Sequence, residues 1–193
     1  MAGFMIITDK LLCIFQIVND WLKFAEAKNA VLLAFCSAAI TAIITYLSTA
    51  STIPNLFRYG LLISMFLLCI SSLICSVSFL PKTDIDHFVW SRTKSVRNSK
   101  FPLKDSDNFY FFNNLNKYDS TELLDAMNRL YFEGKVQKPY RKEDLDIASQ
   151  ITINSEIAST KFMFFRIALW LLIFSIFIVL ISLLIAILVY RNV

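Results

Sequence analysis

Four groups of residues in this chain have types and spacing that could do chemistry. The first is a basic run, Ser91 to Lys100, in which Arg92, Lys94 and Arg97 could hold a phosphate or touch anionic lipid. No glycine-rich loop accompanies it, and the whole chain has three glycines. The second is the aromatic block Asn108 to Phe112, where Phe109 and Tyr110 could stack on a base or, alternatively, plug a small core. The third is Asp84, Asp86 and His87. Two carboxylates beside the only histidine are too few for a convincing metal set or a catalytic apparatus, so neither is assigned. The fourth is a scatter of hydroxyls in apolar surroundings: Thr41, Thr45, Ser64, Ser71, Ser72, Ser76, Ser175 and Ser182. These could pack helices closely, or line a water path in an assembly. Cys13, Cys36, Cys69 and Cys75 have no metal-ligand spacing and read as small buried hydrophobes.

The elements that must position these groups are set by charge. Asn29 to Phe57 and Tyr59 to Pro81 carry no charged residue, with Arg58 between them, and neither do the 24 residues from Ile167 to Tyr190. At about 1.5 Å per residue the last stretch covers roughly 36 Å, enough to cross a hydrocarbon core of about 30 Å. The expected fold is therefore an all-α membrane protein with three transmembrane helices, an N-terminal interfacial helix and a small helical cytoplasmic domain between spans 2 and 3. In residue numbers, 1–28 is the amphipathic helix and 29–81 a transmembrane hairpin with spans near 29–50 and 59–81. Residues 82–166 form the cytoplasmic domain, and 167–190 the third span. A net charge of +4 tracks topology rather than DNA or RNA binding. The absence of Asp, Glu, Lys, Arg and His within the spans argues against a proton-coupled or ion-selective transporter. Asp9 and Lys10 stand where a signal peptide would be apolar, so no cleaved leader is expected.

Within the domains, local signals place the helices. Leu11, Ile14, Phe15, Val18, Leu22 and Ala25 share one helical face, with Gln16, Asp20, Lys23 and Ala27 opposite. Trp21, Lys23 and Phe24 suit the headgroup level. Asp119 and Glu122 form a capping-box pattern for a helix to Glu133, ended by Gly134. Pro139 suits the first turn of a long helix whose stripe of Ile147, Ile151, Ala158, Phe162 and Phe165 leads into the last span. Basic residues flank the first span at Lys10, Lys23 and Lys28, and the domain at Lys82 to Lys100, Lys161 and Arg166. That bias places the N-terminus and 82–166 in the cytoplasm and the C-terminus outside.

Three places resemble a known family, the transmembrane effector of the Pycsar antiphage systems of bacteria. They are Trp21 to Ala30 at the entry to the first span, Asn108 to Phe112 before the capped helix, and Gln150, Ile151, Asn154, Ile157, Ala158 and Lys161 before the last span. The resemblance implies a partner nucleotide cyclase that makes a cyclic pyrimidine mononucleotide, cCMP or cUMP, on infection. It implies an effector that senses this ligand, uses no further cofactor, and impairs the bacterial inner membrane so that infection aborts. The partners expected are the lipid bilayer, the cyclase and further copies of the chain. The competing expectation is a membrane-anchored adaptor with no effect on permeability.

Overall fold

The computed structural model describes residues 2–50, 52–80 and 103–191, with side chains from Ile7 to Val189 within them. All regular elements among these residues are helical: α1 (Ala2–Thr49), α2 (Asn55–Val77), α3 (Phe112–Leu115), α4 (Ser120–Tyr131) and α5 (Lys142–Arg191). Three of them, α1, α2 and α5, are long and apolar enough to cross a membrane. This is an all-α, multi-pass membrane protein. Its residues pack as two units. One comprises Met1–Ala25 and Pro81–Lys161, the other Glu26–Leu80 and Phe162–Val193.

The first unit has a core of its own. Ile7, Leu11, Ile14 and Val18 of α1 are fully buried against Leu115, Leu123, Leu124, Met127 and Ile151. The 3.6-residue spacing of the α1 positions makes that face, and each fully buried aliphatic side chain contributes about 1.5–3 kcal/mol. The apolar face expected to lie along lipid headgroups is instead the wall of a protein core. Residues 2–25 accordingly belong to the unit with 103–161 rather than forming a separate interfacial helix. Gln16, Asp20, Lys23 and Ala27 are exposed, as their side of the helix requires.

The capping box on α4 is complete: the Asp119 carboxylate accepts from Glu122 N–H at 2.7 Å, and Asp119 N–H donates to Glu122 at 2.9 Å. The helix ends at Tyr131, two residues before Glu133, because Glu133 and Gly134 adopt φ of 53° and 73°. Gly134 N–H then donates to Asn128 O at 2.9 Å, closing the helix end. Leu130 and Tyr131, expected on the apolar face, are 37% and 43% exposed. The long helix starts at Lys142 rather than Pro139. Tyr140 is held on α4 by donating to Asp125 at 2.7 Å, so the chain turns upward only after it.

In the second unit, Leu32 and Cys36 of α1 pack with Leu68 and Cys75 of α2 and with Ala168 and Leu172 of α5. Buried positions on α5 recur at Ala168, Leu172, Ser175, Ser182 and Ala186, the heptad-like rhythm of a helix seam. Large side chains such as Phe66, Leu73, Phe177 and Leu184 face outward, as a lipid environment favours. All four cysteines are free. Cys36 and Cys75 are buried as expected, whereas Cys13 and Cys69 are exposed.

Candidate functional site

Of the residues expected to hold a ligand, Arg92, Lys94 and Arg97 lie outside the described residues, as do Asp84, Asp86 and His87. Phe109 and Tyr110 part company. Phe109 is a core residue, with rings of Tyr118 and Tyr131 each 5.5 Å away and nearly perpendicular to it. That edge-on packing leaves it no face for a base. Tyr110 is half-buried, fixed by its N–H donating to Asn108 Oδ1 at 2.9 Å, and the Lys10 ammonium lies 5.0 Å from its ring centre. Phe111 and Phe112 turn the other way, onto Trp21 at 6.2 and 5.5 Å.

Among the described residues, at least two grooves open on this unit. The larger, about 970 Å³, is lined chiefly by charged and polar side chains, among them Lys104, Asp105, Asp125, Asn128, Arg129 and Lys138. Its charges are largely matched in pairs, Arg129 with Asp105 and Lys138 with Asp125, each at 2.5 Å. The smaller, about 640 Å³, is lined by Asp9, Lys10, Cys13, Leu130, Tyr131 and Phe132.

Two carboxylates brace the larger groove. Burial pushes the Asp107 carboxyl up, but bonds from Lys117 at 2.7 Å, Lys104 N–H at 3.1 Å and Tyr118 at 3.0 Å outweigh it and hold it below the usual range. Asp125 is lowered by Lys138 and then Tyr140, and burial with the Asp125 bond pushes the Tyr140 phenol up to about 12. Asn128 uses both ends of its amide on Val136, donating to the carbonyl and accepting from the N–H at 3.0 Å each. These bonds fix the chain between α4 and α5.

A third polar cluster had no sequence signal. The Asp144 carboxylate, 1% exposed, accepts from Thr8 at 2.7 Å and from Arg141 Nε at 3.0 Å, and Arg141 also bonds Thr8. Asn154 donates to Asn19 at 2.8 Å, a second bond between α1 and α5. Partners more than a hundred residues apart leave no local pattern.

In the span unit the hydroxyls separate into two sets. Ser64 and Ser175 share a hydrogen bond at 2.6 Å, and Ser71 donates to Ala168 O at 2.9 Å. Ser182 donates to Val179 O and sits against Gly60, where an added Cβ would come within 2.2 Å of the Ser182 hydroxyl. By contrast Thr41, Thr45 and Ser76 are exposed, and each donates to the carbonyl four residues back, at 3.0, 2.9 and 2.9 Å. Ser72 is half-buried, and its hydroxyl makes no hydrogen bond among the described residues. No group of three or more His, Cys, Asp and Glu among the described residues could hold a metal ion.

The sequence pattern of a known family, described as PycTM: Pycsar effector protein domain, matches residues 10–189, which takes in both units. The chain belongs to the Pycsar effector family. It is also similar to the Pycsar effector protein RsPycTM of a Rhizobium species. The two are 32% identical over 158 residues, covering 81% of this chain and 82% of that protein. No solved structure matches. Membership makes the chain a membrane effector of antiviral defence. The family match begins at Lys10, so Ala2–Asp9 of α1 precede it and the rest of that helix lies within it.

Proposed function

We propose that this effector is switched by a cyclic pyrimidine mononucleotide, cCMP or cUMP, supplied by a partner cyclase during infection. The ligand binds the unit built from residues 2–25 and 103–161 and brings about impairment of the bacterial inner membrane, aborting the infection. No chemical step on a substrate is needed. The observation that carries the reading is the continuity of α5: one unbroken helix, Lys142–Arg191, supplies the ligand-side unit with its buried Asp144 and Ile151 and then continues as an apolar span. A helix is stiff along its axis, so a shift of its first turns biases the rest, provided ligand binds the two arrangements unequally. The distribution of basic residues supports a cytoplasmic N-terminus and ligand-side unit, with the C-terminus outward.

Impairment by further copies of the chain is favoured over a path through one copy. The α2–α5 hydroxyls close on each other, whereas Thr41, Thr45 and Ser76 face outward and are free to meet a second copy or water. That same closed seam suits the adaptor reading, in which three spans only anchor. Cells producing the protein, supplied with cyclic CMP or cyclic UMP, distinguish the two. A ligand-dependent fall in membrane potential with dye entry supports the effector reading, and unchanged potential with either nucleotide contradicts it.

A further inference from the structure

The smaller groove contains a cation with unusual company. Lys10 is the one basic residue among its described lining side chains, and its ammonium stands 5.0 Å from the Tyr110 ring centre and 5.5 Å from that of Tyr131. The Tyr110 phenol beside it raises the ammonium's pKa against the pull of burial, and its other electrostatic neighbours among the described residues are Tyr131 and Cys13. Two of the three cations named in the larger groove's lining, Arg129 and Lys138, differ, because they already hold Asp105 and Asp125. A phosphate competes poorly for a cation bound to a carboxylate. It competes well for one resting on aromatic rings, since a charge-assisted hydrogen bond is stronger than an exposed cation–π contact. When the ammonium moves to a phosphate, ring faces are uncovered, and Tyr131 is exposed enough to offer one.

We propose that Lys10, Tyr110 and Tyr131 form the phosphodiester subsite of a cyclic mononucleotide, the ammonium taking the phosphate and the Tyr131 ring stacking the base. The inference rests on the ligand class proposed above. The three residues come from α1, the segment before α3 and the last residue of α4, so one small anion would draw three separate pieces of chain together. Asp9 also lines the groove; its side chain is exposed, where solvent screens its charge from the phosphate.

The test is calorimetric titration of the full chain in nanodiscs with cyclic CMP, UMP, AMP and GMP. Each variant's ligand-free melting is recorded alongside. A cyclic pyrimidine nucleotide should bind wild type, and Lys10→Gln should raise its Kd about tenfold or more. Lys10→Arg should recover most of that loss. Tyr131→Leu should raise Kd about fivefold or more through lost stacking, and Arg129→Gln should leave it unchanged. Unaltered affinity in Lys10→Gln overturns the subsite and leaves the ligand class standing. Binding of none of the four nucleotides by wild type overturns the ligand class and the subsite with it. If Lys10→Gln loses its ligand-free melting transition, Tyr131→Leu decides, and wild-type affinity there overturns the subsite.

Discussion

The span unit carries two hydroxyl-bearing faces that are alike in composition and opposite in arrangement. Along α2 and α5, Ser64, Ser71, Ser175 and Ser182 are buried, and Ser64, Ser71 and Ser175 bond across the seam. Along α1, Thr41 and Thr45 are exposed and each bonds its own helix. The difference shows that a hydroxyl in an apolar helix does not by itself require a neighbour. The carbonyl four residues back can satisfy it, leaving the side chain's outer surface to lipid, water or another copy. What marks the seam is the missing side chain at Gly60, which lets α2 and α5 approach closely enough for serines to reach one another.

The comparison can be broken most forcefully at that glycine. Gly60→Val places atoms where Ser182 already stands, so the seam must open, at a cost of about 1–3 kcal/mol or more. The unfolding midpoint of the purified protein in detergent should fall by several degrees, and an unchanged midpoint would refute the close approach. At the seam's hydrogen bonds, Ser64→Ala or Ser175→Ala should each cost about 0.5–1.5 kcal/mol and the double variant little more than either. Strict additivity in that cycle would show that the two hydroxyls do not meet. On the α1 face, Thr41→Val with Thr45→Val should leave the stability within about 0.5 kcal/mol. A change in the cross-linked species formed by that variant in membranes, relative to wild type, would then report self-association through this face.

Acid separates the two units in the same spirit, because the α2–α5 seam contains no carboxylate among the described residues. Asp107 and Asp125 have folded-state pKa values below the ordinary carboxylate value of about 3.9. Their contribution is present in full above that value and is lost as pH falls through the depressed values. Tyr140 behaves oppositely: its contribution is present below about 10 and lost as pH rises toward about 12. Amide exchange followed from about pH 5 to about pH 2 should show α4 loosening while α2 stays protected.

Much of this was legible in the sequence, for physical reasons that can be named. Uncharged length marks a span because a charge in lipid is costly, so the presence of three helices long and apolar enough to cross a membrane could be read. The Asp119–Glu122 box could be read because capping is local. Periodicity correctly marked the buried face of α1 at Leu11, Ile14 and Val18, yet a buried face does not name what covers it, and headgroups and a protein core look the same. Phe109 and Tyr110 are adjacent aromatics, and only the packing of Tyr118 and Tyr131 decides which is core. Thr8 with Asp144, and Lys10 with Tyr110 and Tyr131, depend on contacts between distant parts of the chain, for which a single sequence has no signal.

The central claim is that ligand capture by one unit changes what the other does to a membrane. It is tested most directly with the purified full chain in liposomes loaded with a self-quenched dye, to which cyclic CMP or cyclic UMP is added. Dye release should depend on one of these nucleotides, saturate with it and be absent with the parent nucleoside. Release that ignores the nucleotide, or intact liposomes at saturating concentrations of both, would contradict it.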